Sequence, residues 1–305
     1  MRFFHGAHRP GPYFEGWYLK HQNKAGQALA LIPAFHIDRA GRRSASLQVL
    51  SDRGAWWLEY PDAQFHASQD RFQVQVGPSS FCDRGVSLHI EQQGLSLHGT
   101  LRYGPFAALR YDIMGPFRLF GGMQCSHGIV SMGHALDGTL ELNGEPIDFS
   151  NGTGYIETDR GRSFPSAYLW TQCAWDGPGG GSLMLAAATV PLPVCRFTGC
   201  ICAVSYRGRA YRLATYRGCK IEAWSPSGAV IRQGAYRLEA ELLHDRRLPL
   251  RAPEEGSMAR TIHESLCAEV RYRFRRGEEL LFQHTDRCAS FEYSDRRTSP
   301  GPAPR

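Results

Sequence analysis

The feature that most limits what this chain can fold into is the spacing of its turn signals. The stretch "VSLHIEQQGLSLHGTLRY" alternates Val86, Leu88 and Ile90, turns at Gln93-Gly94, then alternates again through Leu95, Leu97 and Leu101. The same pattern recurs about Asn143-Gly144, Arg207-Gly208, Ser227-Gly228 and Arg276-Gly277. A period of two sends successive side chains to opposite faces of a strand, and short turns tolerant of positive φ join antiparallel neighbours. No long segment carries a 3.6-residue period, and "PEEGSMARTIHESL" (Pro253 to Leu266) allows one helical turn at most. Many short strands with alternating faces predict an all-β chain built as sandwiches or barrels.

At 305 residues the chain can bury one large core or two moderate ones. Two strand-like texts, "GTGYIET" (152–158) and "RCASFEY" (287–293), are alike and hint at two related halves. The expected organisation is a first domain over 1–162, a second over 163–294 and a disordered tail over 295–305, with the division near residues 160 to 190. The tail has no apolar periodicity to hold it.

Composition excludes several classes. A 42% hydrophobic and 21% charged chain is that of a globular protein. The net charge of +6 is spread over arginines interleaved with acids, which is no nucleic-acid footprint. Nine cysteines at irregular spacing make a poor disulfide framework, so reduced thiols in the cytoplasm are expected. Cys195, Cys200 and Cys202 lack the spacing of a zinc site and read as small core residues. No apolar run is long enough for a signal peptide or a membrane span. No P-loop, G-x-S-x-G or dinucleotide fingerprint is present, so nothing supports a nucleotide cofactor or serine hydrolysis.

Chemistry concentrates in two places. In "GYIETDRGRSFPSAYLWTQ" (154–172) an extended backbone puts Tyr155, Glu157 and Asp159 on one face. Two such carboxylates repel when both ionise, so one would keep its proton and serve as a general acid. The competing reading is that Arg160 or Arg162 pairs with the acids and simply closes the strand end. Alternation sends Arg160 to the opposite face from Glu157 and Asp159. In "PYFEGWYLK" (12–20), Tyr13, Glu15 and Trp17 share a face, and the next strand brings Phe35 and His36. A glutamate between inward aromatics needs a partner or a role. His36, His127 and His134 are candidate proton handlers, though singly such a residue is more often a satisfied structural histidine.

Taken in order, "FHG", "PYFEGWYLK", "HGIVSMGHALDGTLELNGEPIDFSNGTGYIETDRGRSFPSAYLWTQ" and "GSMARTIHESL" resemble the tocopherol cyclase-like family, over nearly all of residues 3 to 292. That family is distantly similar to carotenoid hydratases and lipocalin-like cyclases, so the resemblance implies two lipocalin-like antiparallel β-barrels side by side. It also implies an intramolecular cyclase or hydratase that protonates an isoprenoid double bond and captures the cation with an oxygen. Tyr155, Glu157, Gly161, Phe164, Pro165, Trp170 and Gln172 match the family's central motif. Thr158, Arg160 and Ala174 depart from it, where lysine, tryptophan and asparagine are usual. The site expected on this basis has Glu157 as proton donor or its holder, with Asp159 and Tyr155 beside it. Tyr13, Glu15, Trp17, Phe35, Phe164, Trp170 and Gln172 would bind a hydrophobic small molecule. No metal or redox cofactor is required. No nucleic acid is expected, and contact with a membrane would be a transient surface encounter to collect a lipid. The alternative from another class is a non-catalytic carrier, because apolar barrel interiors bind ligands without changing them.

Overall fold

The computed structural model describes residues 3–119, 123–176, 179–191 and 196–296. Its strands are β1 (Tyr13–Gln22), β2 (Ala28–Ile37), β3 (Arg43–Ser51), β4 (Gly54–Pro61), β5 (Phe65–Ala67), β6 (Gln73–Val76), β7 (Ser79–Cys82), β8 (Gly85–Gln92), β9 (Leu95–Tyr103), β10 (Cys125–Leu142), β11 (Glu145–Asp148) and β12 (Gly152–Gly161). They continue as β13 (Ala167–Trp175), β14 (Gly181–Pro191), β15 (Arg196–Tyr206), β16 (Arg209–Ala214), β17 (Lys220–Ser225), β18 (Gly228–Gln233), β19 (Tyr236–His244), β20 (Arg247–Glu254), β21 (Ser257–Arg276) and β22 (Glu279–Asp295). Helical structure among the described residues is limited to short 3-10 turns. The chain is all-β, and its strands form two large antiparallel sheets.

The two sheets, of twelve and ten strands, follow a similar strand order. The first runs β4-β3-β2-β1-β12-β10-β9-β8-β7-β6-β5 with β11 beside β10, and the second runs β16-β15-β14-β13-β22-β21-β19-β18-β17 with β20 beside β21. In each, the first strand pairs with the last, β1 with β12 and β13 with β22. The two texts that look alike in the sequence are these closing strands. Three of the expected turns, Gln93-Gly94, Asn143-Gly144 and Arg207-Gly208, have positive φ at both residues, the geometry that suits the twist of a hairpin.

Each sheet gathers its own core on one face. In the first, Leu19, Leu31, Val49, Leu97, Leu140 and Ile156 join Tyr60 near one end of the sheet and Phe65 near the other in a single cluster. In the second, Leu169, Leu185, Val204, Ile231, Tyr272 and Phe291 do the same.

The chain divides into two compact units, Met1–Phe164 with Leu248–Thr261, and Pro165–Arg247 with Ile262–Arg305. A single cut at 162 therefore misses a segment. Residues 248–261, assigned by sequence to the second domain, belong to the first unit because their backbone is satisfied there. Gln48 Nε2 donates to Arg251 O (3.0 Å), Arg251 N to Gln48 Oε1 (2.8 Å), Phe164 N to Pro253 O (3.1 Å) and Gly256 N to Arg162 O (2.8 Å). The text "PEEGSMARTIHESL" holds no helical turn; it is a tight reversal followed by a strand. Glu255 and Gly256 have φ of 48° and 77°. A Cβ on Gly256 would lie 1.9 Å from Ile37 O and 2.8 Å from Tyr13 N, so backbone blocks any larger residue. Gly256→Ala is expected to cost about 2–4 kcal/mol of stability. An unchanged urea midpoint would show that the reversal relaxes freely.

One cysteine expectation also changes. Cys267 and Cys288, on paired strands β21 and β22, form a disulfide, so the thiols are not all reduced. Cys200 and Cys202 are core residues as expected, while Cys195 lies outside the described residues. Asp295 closes β22 and Arg296 N donates to Ser166 O (3.0 Å), so the expected disordered tail does not begin at 295; residues 297–305 lie outside the described ones. No helix among the described residues is long and apolar enough to cross a membrane.

Candidate acid–base site

Strands that cover a core on one face normally show water the other. β8 behaves this way, with exposed Ser87, His89 and Glu91 alternating against buried neighbours. β1, β2 and the Gly154–Glu157 stretch of β12 do not: they are buried on both faces. Polar side chains on the face away from the core must then be satisfied within the protein.

That outer face of the first sheet carries the acid–base cluster. Tyr155, Glu157 and Asp159 project from β12, opposite Lys20, Tyr18 and Gly16 of β1 and beside Ile129 and His127 of β10. Tyr155 Oη donates to Glu157 Oε2 at 2.5 Å, and both residues are buried. His127 Nδ1 donates to Asp159 Oδ1 at 3.0 Å, while its Nε2 lies 3.5 Å from Glu157 Oε2. The Nε2 contact is an ion-pair approach rather than a hydrogen bond: Nε2 is buried and lacks a hydrogen-bond partner. Cys125 Sγ also reaches Asp159 Oδ1, at 3.6 Å.

The imidazole resolves the repulsion that the sequence posed. Burial disfavours its charge, but the fields of Glu157 and Asp159 and the Asp159 hydrogen bond outweigh burial, raising its pKa to about 9. One positive charge thus sits between two carboxyl groups. Burial and the adjacent Glu157 push the Tyr155 phenol well above its ordinary range, so it remains a donor. One donor atom each from His127, Glu157 and Asp159 lies within 4.8 Å of the others, a spacing that also suits a cation. In this geometry Nδ1 is committed to Asp159 and Glu157 Oε2 to Tyr155.

The residues expected together at one site fall in three places. Phe164 packs edge-on against Phe14 (ring centroids 5.5 Å apart), whose partner on β12 is Gly161, on the Glu157 face. Tyr13, Glu15, Trp17 and Phe35 belong to the opposite, inner face. There Glu15 accepts from Tyr13 Oη (2.8 Å) and from His5 N (2.8 Å), and pairs with His5 Nδ1 at 2.8 Å. Arg160 stands opposite Glu15 in the register, on the face away from Glu157. Trp170 and Gln172 lie on β13, in the second unit. His36 and His134 are buried, bonded to Ser46 Oγ (2.8 Å) and Ser131 Oγ (3.0 Å), and are not part of the cluster.

His127 is the residue that sequence reasoning left unplaced. The signal available was strand pairing: with β10 antiparallel to β12, His127 falls directly opposite Asp159.

The first of the two antiparallel sheets thus presents a cluster of buried Tyr155 and Glu157 with half-buried His127 and Asp159. A tocopherol cyclase-like family model matches residues 123–294, more than half of the chain, and the chain belongs to that family. Among solved structures it is similar to kievitone hydratase from Nectria haematococca, at 8% identity and TM-score 0.55, with 94% of this chain and 90% of that one covered. It is also similar to a protein from Nitrosomonas europaea described as an AttH, at 13% identity and TM-score 0.52, with 92% of each chain covered. At such identities these two share the fold alone. No curated protein matches the chain.

Proposed function

We propose that this protein is a cyclase or hydratase that protonates a double bond in a hydrophobic, isoprenoid-type molecule. The observation that carries the reading is His127, largely enclosed between Glu157 and Asp159 and held protonated up to about pH 9. A proton store loaded at neutral pH and shielded from water is what alkene protonation requires. In this scheme the proton passes from His127 Nε2 to the alkene carbon, directly or by way of Glu157. The tertiary cation then gains an oxygen, from the substrate's own phenol in a cyclisation or from water in a hydration. That oxygen's proton returns to the cluster, so the net change is an isomerisation or the addition of one water. Asp159 fixes the imidazole through Nδ1, and Tyr155 fixes Glu157. Family membership supports the reaction class, and the hydratase among the structural neighbours is compatible with it.

We also read each sheet as a lipocalin-like barrel, since one core collects residues from both ends of the strand order. The carrier alternative needs an open apolar interior. The first sheet's interior is instead filled by aromatics: Phe4 packs on Phe35 (5.4 Å) and Phe65 (5.5 Å), and Phe35 stacks on Phe65 (5.1 Å). The deciding experiment incubates purified protein with prenylated hydroquinones and follows products by mass spectrometry. An isomer or a hydrate is the expected result. A ligand that is bound and released unchanged would assign the protein to the carriers.

A further inference from the structure

The outer face of the first sheet is open to water along the β8–β9 hairpin. Alternation places Ser87, His89 and Glu91 on this face of β8. The turn at Gln93-Gly94 sets the register, which brings His89 opposite His98 and Glu91 opposite Ser96. Directly opposed side chains have Cβ atoms about 5 Å apart, and the two imidazoles close that gap. His89 Nδ1 and His98 Nδ1 lie 3.1 Å apart, with ring centroids at 4.7 Å.

The hydrogen bonds around the pair fix its protons. A carboxylate only accepts, so His98 Nε2 carries the proton that it donates to Glu91 Oε1 at 2.5 Å. In the neutral ring Nδ1 is then a lone pair, next to His89. Ser96 Oγ donates to the same Glu91 oxygen at 2.8 Å and holds the carboxylate in place. On β10, Glu141 stands opposite His98 on the same exposed face. The neighbours in register around the two rings are thus Ser87, Glu91, Ser96, Thr100 and Glu141, which carry negative charge and no positive charge.

We propose that this hairpin carries a site for a divalent transition-metal ion such as Zn²⁺, with His89 Nδ1 and His98 Nδ1 as ligands. Two nitrogens on a tetrahedral zinc are about 3.3 Å apart, so small turns of two surface rings suffice to bind it. On binding, the Nδ1 proton of a neutral His89 moves to Nε2, and both Nδ1 lone pairs go to the metal. Glu91 is a positioning residue: it holds His98 in the tautomer that leaves Nδ1 for the metal and raises the basicity of that ring. The site is independent of the Glu157 cluster and of the reaction proposed for it.

Titration calorimetry of the full chain, without a histidine tag, against zinc chloride tests the assignment. Wild type binds zinc, and His89→Gln and His98→Gln each weaken that binding at least tenfold. The same equivalent of zinc persists in His127→Gln. Because both rings lie at the surface, the two hairpin variants keep the wild-type urea midpoint measured without zinc. Wild-type binding weaker than about 1 mM, unchanged affinity in either hairpin variant, or loss of that equivalent in His127→Gln overturns the site. Glu91→Ala weakens zinc about tenfold, and Glu91→Gln, whose amide oxygen still accepts from His98 Nε2, recovers part of the loss. Equal affinities of the two Glu91 variants overturn the role given to Glu91.

Discussion

Glu157→Gln is expected to cut turnover about 10²–10⁴-fold, the range for removal of a positioned acid or base, and to shift the titration of His127 at the same time. The amide is nearly isosteric and still accepts from Tyr155 Oη, so the fold should survive. What it removes is one of the two negative charges that hold the imidazole charged against its burial. With Asp159 alone opposing burial, His127 should titrate below the value of about 9 it has in the intact cluster. Asp159→Asn should lower it too, through loss of the charge, although the amide Oδ1 can still accept from Nδ1. Proton NMR of the imidazole ring reads this without any substrate. If His127 titrates unchanged in Glu157→Gln, the cluster is not coupled as the geometry requires. Full turnover in that variant would remove Glu157 from the mechanism whatever the histidine does.

The second large effect is on stability, and its sign can be worked out. His21, His36 and His134 are buried, and desolvation lowers them to about 4, 3 and 3. In the unfolded chain each takes up a proton near 6.5, while the folded chain refuses it. The unfolded state therefore binds more protons below 6.5, and stability falls as the pH drops from there toward the folded values. Each histidine contributes about 1.4 kcal/mol per pH unit in that window, so all three together reach roughly 4 kcal/mol per unit. His127 has the opposite sense. Its folded value of about 9 exceeds the unfolded one, so its stabilisation is complete below 6.5 and is lost as the pH rises through 9. Urea unfolding from pH 4.5 to 9.5 should show greatest stability near pH 6.5. His36→Gln should reduce the acid-side slope by about a third. A flat profile between pH 5 and 6.5 would mean that these histidines are solvated in the folded protein.

Much of the fold was legible because local physics dictates it. Asn143-Gly144 and Gln93-Gly94 adopt the paired positive φ that their residue types permit, and the alternation of Val86, Leu88 and Ile90 predicts their burial. The closing strands were visible as similar text because each performs the same task in its sheet. The site was harder. Alternation correctly put Tyr155, Glu157 and Asp159 on one face, but says nothing of which strand lies alongside. His127 reaches Asp159 only through a non-local pairing across 32 residues. Trp17 and Phe35 were expected at the same site as Glu157. The register separates them, since Trp17 faces Thr158 rather than Glu157. The disulfide between Cys267 and Cys288 was not legible at all, because bulges at Ala268 break the regular count of β21.

The segment 248–261 also sets an order of events during synthesis. The last strand of the first sheet is complete at Gly161, yet the stretch that satisfies Gln48 and the backbone of Phe164 emerges some ninety residues later. At about 5–20 residues per second, the nascent first sheet waits on the order of 5–20 s without that cover. Completion of the first unit is thus tied to translation of most of the message. A chain ended at residue 164 would carry every strand of the first sheet and still lack the segment that bonds Gln48, Arg162 and Phe164.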